Sequence, residues 1–275
     1  ILVASAAVED HVPDVPAARA LGCVRMTRAA LLAQLFNAAP MGIAVGGTSG
    51  KSTVTGMIGW IMARVGRDTT IMNGAVMKNF TADNAPFASS RVGAGTLFVS
   101  EVDESDGSIA LFTPRIAVLN NVSLDHKSLD ELHALFGDFV MKADRAVWNA
   151  DDAESRALIA ARAPANAISF GLDDAADVRA VDVVEEPLSA RFTLVAGGAE
   201  TPVRMAVPGR HNIANGLAAI AAVTAAGVPL PDAVAALQGF TGLGRRFELV
   251  GQAGGVSVID DFGHNPEKCA ATLAT

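Results

Sequence analysis

The sequence GTSGKS at positions 47–52 constrains the fold of this 275-residue chain more than any other feature. It follows an apolar run at 43–45 and precedes apolar residues with helical spacing, which predict a helix that stops at Gly66. A glycine-rich turn between a strand and a helix points backbone N–H groups and the positive helix end at an anion. The segment therefore predicts a phosphate-binding loop in an α/β fold.

The glycine spacing is a variant of the ordinary phosphate-binding loop, which would have another glycine where this chain has Val45. This variant indicates one branch of nucleotide-using enzymes. Within the loop, Lys51 can reach the outer phosphates and the Ser52 hydroxyl can bind Mg²⁺. The residues predicted to hold the phosphates are Gly47, Thr48, Ser49, Gly50, Lys51, Ser52 and Thr53.

The net charge of -8 and the lack of a basic stripe argue against nucleic acid as a partner. No window of about 18 apolar residues is free of charges and glycine, so no membrane span is predicted. Cys23 and Cys269 lie far apart and lack metal-type spacing, which is typical of a reducing compartment. We therefore expect a soluble cytoplasmic protein with neither nucleic acid nor a membrane as a partner.

Short buried strands separated by helical segments predict a mostly parallel sheet flanked by helices. These strands are expected at 41–45, 96–100, 116–119 and 146–148. The alternating residues at 190–207 predict an antiparallel hairpin added to the same sheet. The predicted fold class is therefore α/β, with a P-loop-type central domain and a small antiparallel β addition.

The two ends of the chain predict incomplete α/β units. Residues 1–39 have the pattern of strand, helix, strand and helix, with Thr27 as the cap of the second helix. A small-residue helix is expected over about 213–226, and a strand at 256–259. Because the chain begins with Ile1 rather than Met, and a last helix begins only near its end, we expect a fragment.

Polar residues follow two of the predicted strands, where ligands of open α/β sheets gather. Glu101 begins an acidic run that continues at 103–106, and a carboxylate at a strand end can hold Mg²⁺ beside phosphates. A solvated acidic turn is the alternative interpretation of that run. His126 follows the next strand and is a candidate ligand, with a structural histidine as the alternative.

Two further groups of polar residues lie nearer the C-terminus. Asn212 and Asn215 share one face of the small-residue helix, where their amides could read an adenine edge. Capping of that helix by Asn212 is the alternative. Arg246 and Asp261 offer a phosphate clamp and a ribose partner.

In this order, the motifs resemble those of the Mur ligase family, the ATP-dependent ligases that extend the peptide of peptidoglycan precursors. The resemblance covers essentially the whole chain. The matching segments are 47–52, Glu101 with 103–106, Asn121 with 125–126, 209–212 with Asn215, and 245–247 with 261–264.

The resemblance implies three domains. Residues 1–39 match the tail of an N-terminal UDP-binding domain, 40–242 the central ATPase domain, and 243–275 the start of a C-terminal ligase domain. Most of the first and third domains would be absent, so we expect no ligation by the chain alone. A monomer or a weak dimer is expected.

The implied reaction joins the lactyl carboxylate of UDP-N-acetylmuramate to the amine of L-alanine through an acyl phosphate, with ATP and Mg²⁺ as cofactors. The run at 103–106 and the ending at 261–264 are most similar to the alanine-adding members. Residues 119–121 with 125–126 are more similar to members that attach a murein tripeptide. Ser49 and Asn265 stand where alanine-adding members usually have histidine.

Other interpretations stay open at this point. They are a ligase of the wider superfamily that uses another acid, such as a folylpolyglutamate or cyanophycin-type synthetase, and a nucleotide-binding scaffold without catalysis. A GTPase or small-molecule kinase is disfavoured because no Asn-Lys-x-Asp guanine reader is present.

The resemblance also assigns roles to individual residues. The predicted catalytic residues are Lys51, Glu101, His126 and Arg246. The predicted metal ligands are Ser52 and Glu101 for one Mg²⁺ and His126 for a second. The residues predicted to contact the rest of the nucleotide are His211, Asn212 and Asn215 at the adenine, Arg246 at the phosphates and Asp261 at the ribose.

Overall fold

The computed structural model of this protein describes residues 1–5, 7–124, 127–264 and 266–275. The chain begins with a small α/β unit. Its elements are β1 (Leu2–Ala4), α1 (Asp14–Ala20), β2 (Arg25–Thr27) and α2 (Arg28–Asn37). β1 and β2 pair in parallel as a separate two-stranded sheet. The Thr27 hydroxyl accepts a hydrogen bond from the N–H of Ala30 at 3.0 Å, so the predicted cap of α2 is confirmed.

Within the described residues, ten strands form one large sheet, in the order β12-β11-β10-β9-β8-β7-β3-β6-β4-β5. In chain order these strands are β3 (Met41–Gly46), β4 (Thr69–Met72), β5 (Ser90–Arg91), β6 (Leu97–Glu101), β7 (Ile116–Leu119), β8 (Arg145–Asn149), β9 (Ala167–Gly171), β10 (Val178–Glu186), β11 (Ser189–Ala196) and β12 (Ala199–Met205). In this order, each neighbouring pair of strands from β10 to β4 is parallel, whereas β5, β11 and β12 are antiparallel to their neighbours. The predicted α/β class, with a mostly parallel sheet and an antiparallel addition, is confirmed.

Helices cover both faces of this sheet. They are α3 (Lys51–Arg64), α4 (Leu129–Met141), α5 (Ala153–Arg162), α6 (Arg210–Ala225) and α7 (Leu230–Leu237), with short 3₁₀ helices at Lys78–Phe80 and Ser108–Leu111. Successive residues of β3 point to opposite faces, so Ile43 and Val45 pack under α3, α6 and α7. Ala44 belongs to the other core, beneath α2, α4 and α5. This two-sided burial explains why the central strands are almost wholly apolar.

The last described elements form a second small unit. They are β13 (Glu248–Ala253), β14 (Val256–Asp260) and α8 (Pro266–Ala274). β13 and β14 pair antiparallel around Gly254 and Gly255, which have φ angles of 58° and 79°. Two successive positive φ angles are typical of the tight turns that match the twist of a hairpin. In the described part of the chain, no helix is both long enough and apolar enough to cross a bilayer.

The ring of Phe36 joins α2 to the large sheet. Phe36 is 1% exposed, and its centroid lies 5.5 Å from that of Phe98 and 5.3 Å from that of Phe112. A Cβ atom on Gly42 would lie 2.6 Å from the same ring, so only glycine lets α2 approach β3 this closely. The helix that ends the first unit therefore shares a core with the central sheet.

We predict that Phe36→Ala lowers the free energy of unfolding by about 3–5 kcal/mol, because a buried ring is replaced by a cavity. Leu35→Ala is the control on the same helix, since Leu35 is 55% exposed, and it should cost about 0.5 kcal/mol or less. Urea unfolding measures both changes. Equal losses for the two variants would mean that α2 does not pack on the sheet.

Candidate nucleotide-binding site

A cavity of about 460 Å³ lies at the carboxyl ends of β3, β6 and β7. Its wall is made by the loops that follow these strands, the N-terminus of α6 and parts of the segment 246–272. Strand ends at a change of winding direction are where open α/β sheets bind ligands. Every predicted site residue within the described ranges except Gly47 lines this cavity. His126 lies outside the described residues.

The loop from β3 to α3 has the geometry of an anion cradle. Gly47 and Gly50 have φ angles of 132° and 82°, which residues with a Cβ atom rarely adopt. Gly50 is the N-cap of α3, and no side chain caps this helix among the described residues. The N–H groups of the first helical turn have no partner within the helix, so they are left to bind an anion together with the helix dipole. The residues present therefore fit the phosphates of a nucleotide.

Side-chain amides of asparagine residues hold this loop in place through hydrogen bonds. The N–H of Ser49 donates to Oδ1 of Asn121 at 2.8 Å, and the Ser49 carbonyl accepts from Nδ2 of Asn120 at 2.9 Å. The same Asn120 amide donates to Oδ1 of Asn215 in α6 at 3.1 Å. The loop is therefore attached both to the end of β7 and to the start of α6.

Lys51 is held by acceptors of the protein itself. Its ammonium group donates to both carboxylate oxygens of Glu104, at 2.8 and 3.1 Å, and to the Gly47 carbonyl at 2.7 Å. The Glu104 side chain is only 7% exposed, whereas that of Lys51 is 19% exposed. The two side chains therefore form an ion pair that is largely shielded from water. Glu104 is a site residue that the sequence did not distinguish from its acidic neighbours.

Ser52 and Glu101, the two predicted ligands of one Mg²⁺, are in direct contact. The Ser52 hydroxyl donates to Oε2 of Glu101 at 2.7 Å, and the N–H of Gly74 also supports this carboxylate. Burial raises the pKa of Glu101, against the lowering effects of the Ser52 hydrogen bond and of the charges on Lys51 and Arg246. A buried carboxylate of this kind gains most from a neighbouring cation.

The described residues contain no group of three His, Cys, Asp or Glu side chains that could bind a metal ion on its own. Mg²⁺ needs no such group, because it keeps several waters and binds through one or two protein ligands plus phosphate oxygens. The Ser52 hydroxyl and the Glu101 carboxylate therefore fit Mg²⁺ in the presence of a nucleotide.

Asp103 differs from its acidic neighbours. Burial raises its pKa, but hydrogen bonds from the hydroxyl and the N–H of Ser105, together with the charges of Lys51 and Arg28, leave the pKa below its usual value. The two hydrogen bonds measure 2.7 and 2.9 Å. Asp103 therefore stabilises its own turn. The alternative interpretation of the acidic run, a solvated turn, fits Asp103 better than it fits Glu101.

The start of α6 brings three predicted base-binding residues to the cavity wall. Asn212 and Asn215 are buried, with Asn212 donating to the Pro208 carbonyl at 2.7 Å and Asn215 donating to Oδ1 of Asn212 at 3.3 Å. The N-cap of α6 is Gly209, so Asn212 is not the cap. Burial lowers the pKa of His211, although the charges of Asp261 and Glu185 act in the opposite direction.

Arg246 and Asp261 reach the cavity from the C-terminal segment. The Asp261 carboxylate accepts hydrogen bonds from the N–H of Phe247 at 2.8 Å and of Gly263 at 2.7 Å. The Arg246 guanidinium lies 5.2 Å from the centroid of the Phe262 ring. Burial lowers the pKa of Arg246, against the raising effects of Asp261 and Glu101. Arg246 lines the same cavity as Glu101, the predicted Mg²⁺ ligand.

The sequence also missed Asn73, which is buried at the end of β4. Its side-chain amide donates to the carbonyl of Ser52 at 2.9 Å, and its Oδ1 accepts from the N–H of Ala75 at 3.0 Å. Its position directly after a buried strand could have identified Asn73 as a site residue in the sequence. That signal was hidden because β4 begins with Thr69 and Thr70 and so lacks the apolar run that predicts the neighbouring strands.

We predict that Gly50→Ala disrupts the loop, because a Cβ atom there would lie 2.2 Å from Nδ2 of Asn120 and 2.6 Å from Oδ1 of Asn215. Gly66 is a matched control at the other end of α3, since its φ is also positive, at 78°, and no atom lies within 4 Å of its would-be Cβ. Gly66→Ala should cost about 1–2 kcal/mol of stability through backbone strain.

Gly50→Ala should cost that strain plus about 1–3 kcal/mol for the broken buried hydrogen bonds, and should also abolish nucleotide binding. Thermal unfolding and calorimetric titration with ATP measure the two effects. Equal stability losses with unchanged ATP binding would contradict the tight fit described here.

Comparison with known proteins identifies the family of this chain. The family model described as the Mur ligase middle domain matches residues 45–223. The UDP-N-acetylmuramate--L-alanine ligase of Clavibacter michiganensis subsp. michiganensis is 38% identical over 99% of this chain and 56% of that protein. The enzyme of the same name from Xanthomonas campestris pv. campestris is 38% identical over 99% of the chain and 58% of that protein. The chain thus spans less than two thirds of the length of these relatives.

Solved structures agree in fold. The UDP-N-acetylmuramate-alanine ligase MurC from Thermotoga maritima superposes with a TM-score of 0.86 at 24% identity, covering 99% of this chain and 62% of that one. A murein peptide ligase from Psychrobacter arcticus 273-4 superposes with a TM-score of 0.79 at 27% identity, covering 97% of this chain and 61% of that one. With a family model that matches well over half of its residues, the chain belongs to the Mur ligase family.

Proposed function

We propose that this chain carries the nucleotide-binding centre of an ATP-dependent ligase. The reaction joins the lactyl carboxylate of UDP-N-acetylmuramate to the amine of L-alanine through an acyl phosphate. The observation that carries the proposal is the convergence of Lys51, Ser52 and Glu101 on one cavity at the strand ends. The names of relatives that are 38% identical along nearly the whole chain support these substrates.

The roles of the residues follow from charge and position. When bound, ATP supplies the phosphoryl group that activates the carboxylate, and Mg²⁺ neutralises phosphate charge. The N–H groups at the start of α3 bind phosphate oxygens, and Lys51 stabilises the charge of the transferring group. Ser52 and Glu101 hold one Mg²⁺, and His126 is proposed as a ligand of a second.

The same cavity has room for the rest of the nucleotide. Asn212 and Asn215 form a hydrogen-bonded pair at the start of α6, and with His211 they are proposed to face the adenine. Arg246 is proposed to contact the phosphates and Asp261 the ribose. All five line the same cavity, which supports their assignment to a single ligand.

We further propose that the domain limits lie at 1–39, 40–242 and 243–275. Two observations support them. β1 with β2, and β13 with β14, form small sheets that are separate from the ten-stranded one. In addition, the chain covers only 56% and 58% of the relatives' lengths, which leaves room for larger outer domains.

A second candidate differs only in the acceptor. The fold likeness to the murein peptide ligase favours attachment of a murein tripeptide, at a lower TM-score of 0.79 and on the same activated carboxylate. Both candidates use the phosphate chemistry proposed here, so the acceptor has to be decided by assay.

We predict that Lys51→Arg lowers kcat by about 10²–10³-fold, the usual cost of one lost electrostatic contact to the transition state. Arginine keeps the charge beside Glu104, so the protein should stay folded, but its planar fork cannot reproduce the point charge of an ammonium group. Lys142→Arg is the control, because Lys142 lies outside the cavity and pairs with Asp138 on α4. Near-normal turnover of the Lys51 variant would contradict the proposed role.

Phosphate release by the full-length protein with ATP, Mg²⁺ and UDP-N-acetylmuramate tests the function itself. L-alanine and the L-Ala-γ-D-Glu-diaminopimelate tripeptide are added separately, and we expect release with L-alanine. Release with the tripeptide alone would establish the second candidate. If neither acceptor gives release while ATP still binds, the site serves another acid substrate or a non-catalytic scaffold, and the proposal is wrong.

A further inference from the structure

The ammonium group of Lys51, which is proposed to bind the terminal phosphate, already donates all its hydrogen bonds to the protein. An ammonium group has three donors. Those of Lys51 meet three acceptors, namely two carboxylate oxygens of Glu104 and the carbonyl of Gly47, at distances of 2.7–3.1 Å. A phosphate can therefore reach Lys51 only by replacing at least one of these acceptors.

Of the acceptors of Lys51, the Glu104 carboxylate costs the most free energy to replace. With 7% of its side chain exposed, it has little access to water that could take over from Lys51. A buried charge that loses its partner is strongly destabilised, and a buried charge that keeps its partner repels the incoming phosphate. In either arrangement, Glu104 opposes the binding of phosphate at Lys51.

The backbone around Glu104 fixes this side chain in place. The N–H of Gly107 donates to the Glu104 carbonyl at 3.1 Å, and the N–H of Ile109 donates to the Asp103 carbonyl at 2.8 Å. Gly107 has a φ of 76°, which closes the turn. The Asp103 side chain is bound to Ser105, so Glu104 is the carboxylate of this turn that contacts Lys51.

We propose that Glu104 is a positioning residue that sets nucleotide affinity by competing with the outer phosphates for Lys51. The inference rests on the proposed ATP-dependent function. A nucleotide binds well only if it brings enough negative charge to displace Glu104. After phosphoryl transfer the remaining diphosphate brings less charge, so Glu104 recaptures Lys51 and promotes release of the product.

Substitution Glu104→Gln tests this competition, because it removes the charge but keeps the shape and a hydrogen-bond acceptor for Lys51. Calorimetric titration of the full-length protein with MgATP, MgADP and AMP is the measurement. We expect MgATP and MgADP to bind at least about tenfold more tightly, since a repulsive charge close to the phosphates is gone. AMP should bind unchanged, because its phosphate does not reach Lys51. Stopped-flow dissociation of MgADP should slow by a similar factor.

Asp106→Asn is the matched control, since Asp106 is an exposed acid on the same turn and its removal changes the net charge equally. Its nucleotide affinities should not change. An equal increase in nucleotide affinity in both variants would mean that the effect comes from the net charge of the protein, and it would overturn the proposal. Weaker or unchanged MgATP binding by Glu104→Gln would also overturn it, because Glu104 would then hold Lys51 ready for the phosphate instead of competing with it.

Thermal unfolding confirms that each variant is folded at the assay temperature. If Glu104→Gln is not, Glu104→Asp replaces it, because the shorter side chain loosens the contact with Lys51 while the charge remains. A smaller gain in MgATP affinity is expected there, and a loss would overturn the proposal. A wild-type protein that binds no nucleotide at all would instead overturn the proposed function, and this inference with it.

Discussion

The carbonyl and N–H of Ser49 are the groups on which the rest of the site depends. Through Asn120 and Asn121 they attach the phosphate loop to the end of β7, and through Asn120 and Asn215 to the start of α6. Buried amide hydrogen bonds cannot be exchanged for water without a large cost, so these contacts hold the loop without a bound ligand. One short hydrogen-bond chain therefore aligns the strand, the helix and the proposed base-binding wall.

Charge is distributed around this frame as matched pairs. Lys51 pairs with Glu104, while Glu101 accepts a hydrogen bond from Ser52 and is also affected by the charge of Arg246. A triphosphate with its cation adds both signs of charge at once, so the cation can pair with Glu101 while a phosphate competes with Glu104 for Lys51. The loop and Glu101 are therefore in place before a nucleotide binds, whereas the pair of Lys51 with Glu104 has to open.

The sequence was sufficient for β3, β6, β7 and β8, because buried strands on two covered faces are nearly continuous apolar runs. It was insufficient where the regular pattern breaks. β10 carries a bulge between Val181 and Val184, with Asp182 at a φ of 53°, so its alternation was not recognised. Likewise, four carboxylates in six residues look equivalent in sequence. Only the turn at 103–107 separates Glu104, which contacts Lys51, from Asp103, which contacts Ser105.

The C-terminal segment completes the cavity under backbone strain. Arg245 and Phe247 have φ angles of 57° and 46°, which cost about 1–2 kcal/mol each for residues with a Cβ atom. The Asp261 carboxylate offsets part of this cost by accepting a hydrogen bond from the N–H of Phe247, and the Phe262 ring offsets another part by stacking with Arg245 and Arg246. Arg246 is thereby presented between two strained residues. Its place in the cavity is set by contacts of this segment with Asp261 and Phe262 in the loop after β14, outside the large sheet, so the site requires both units of the fold.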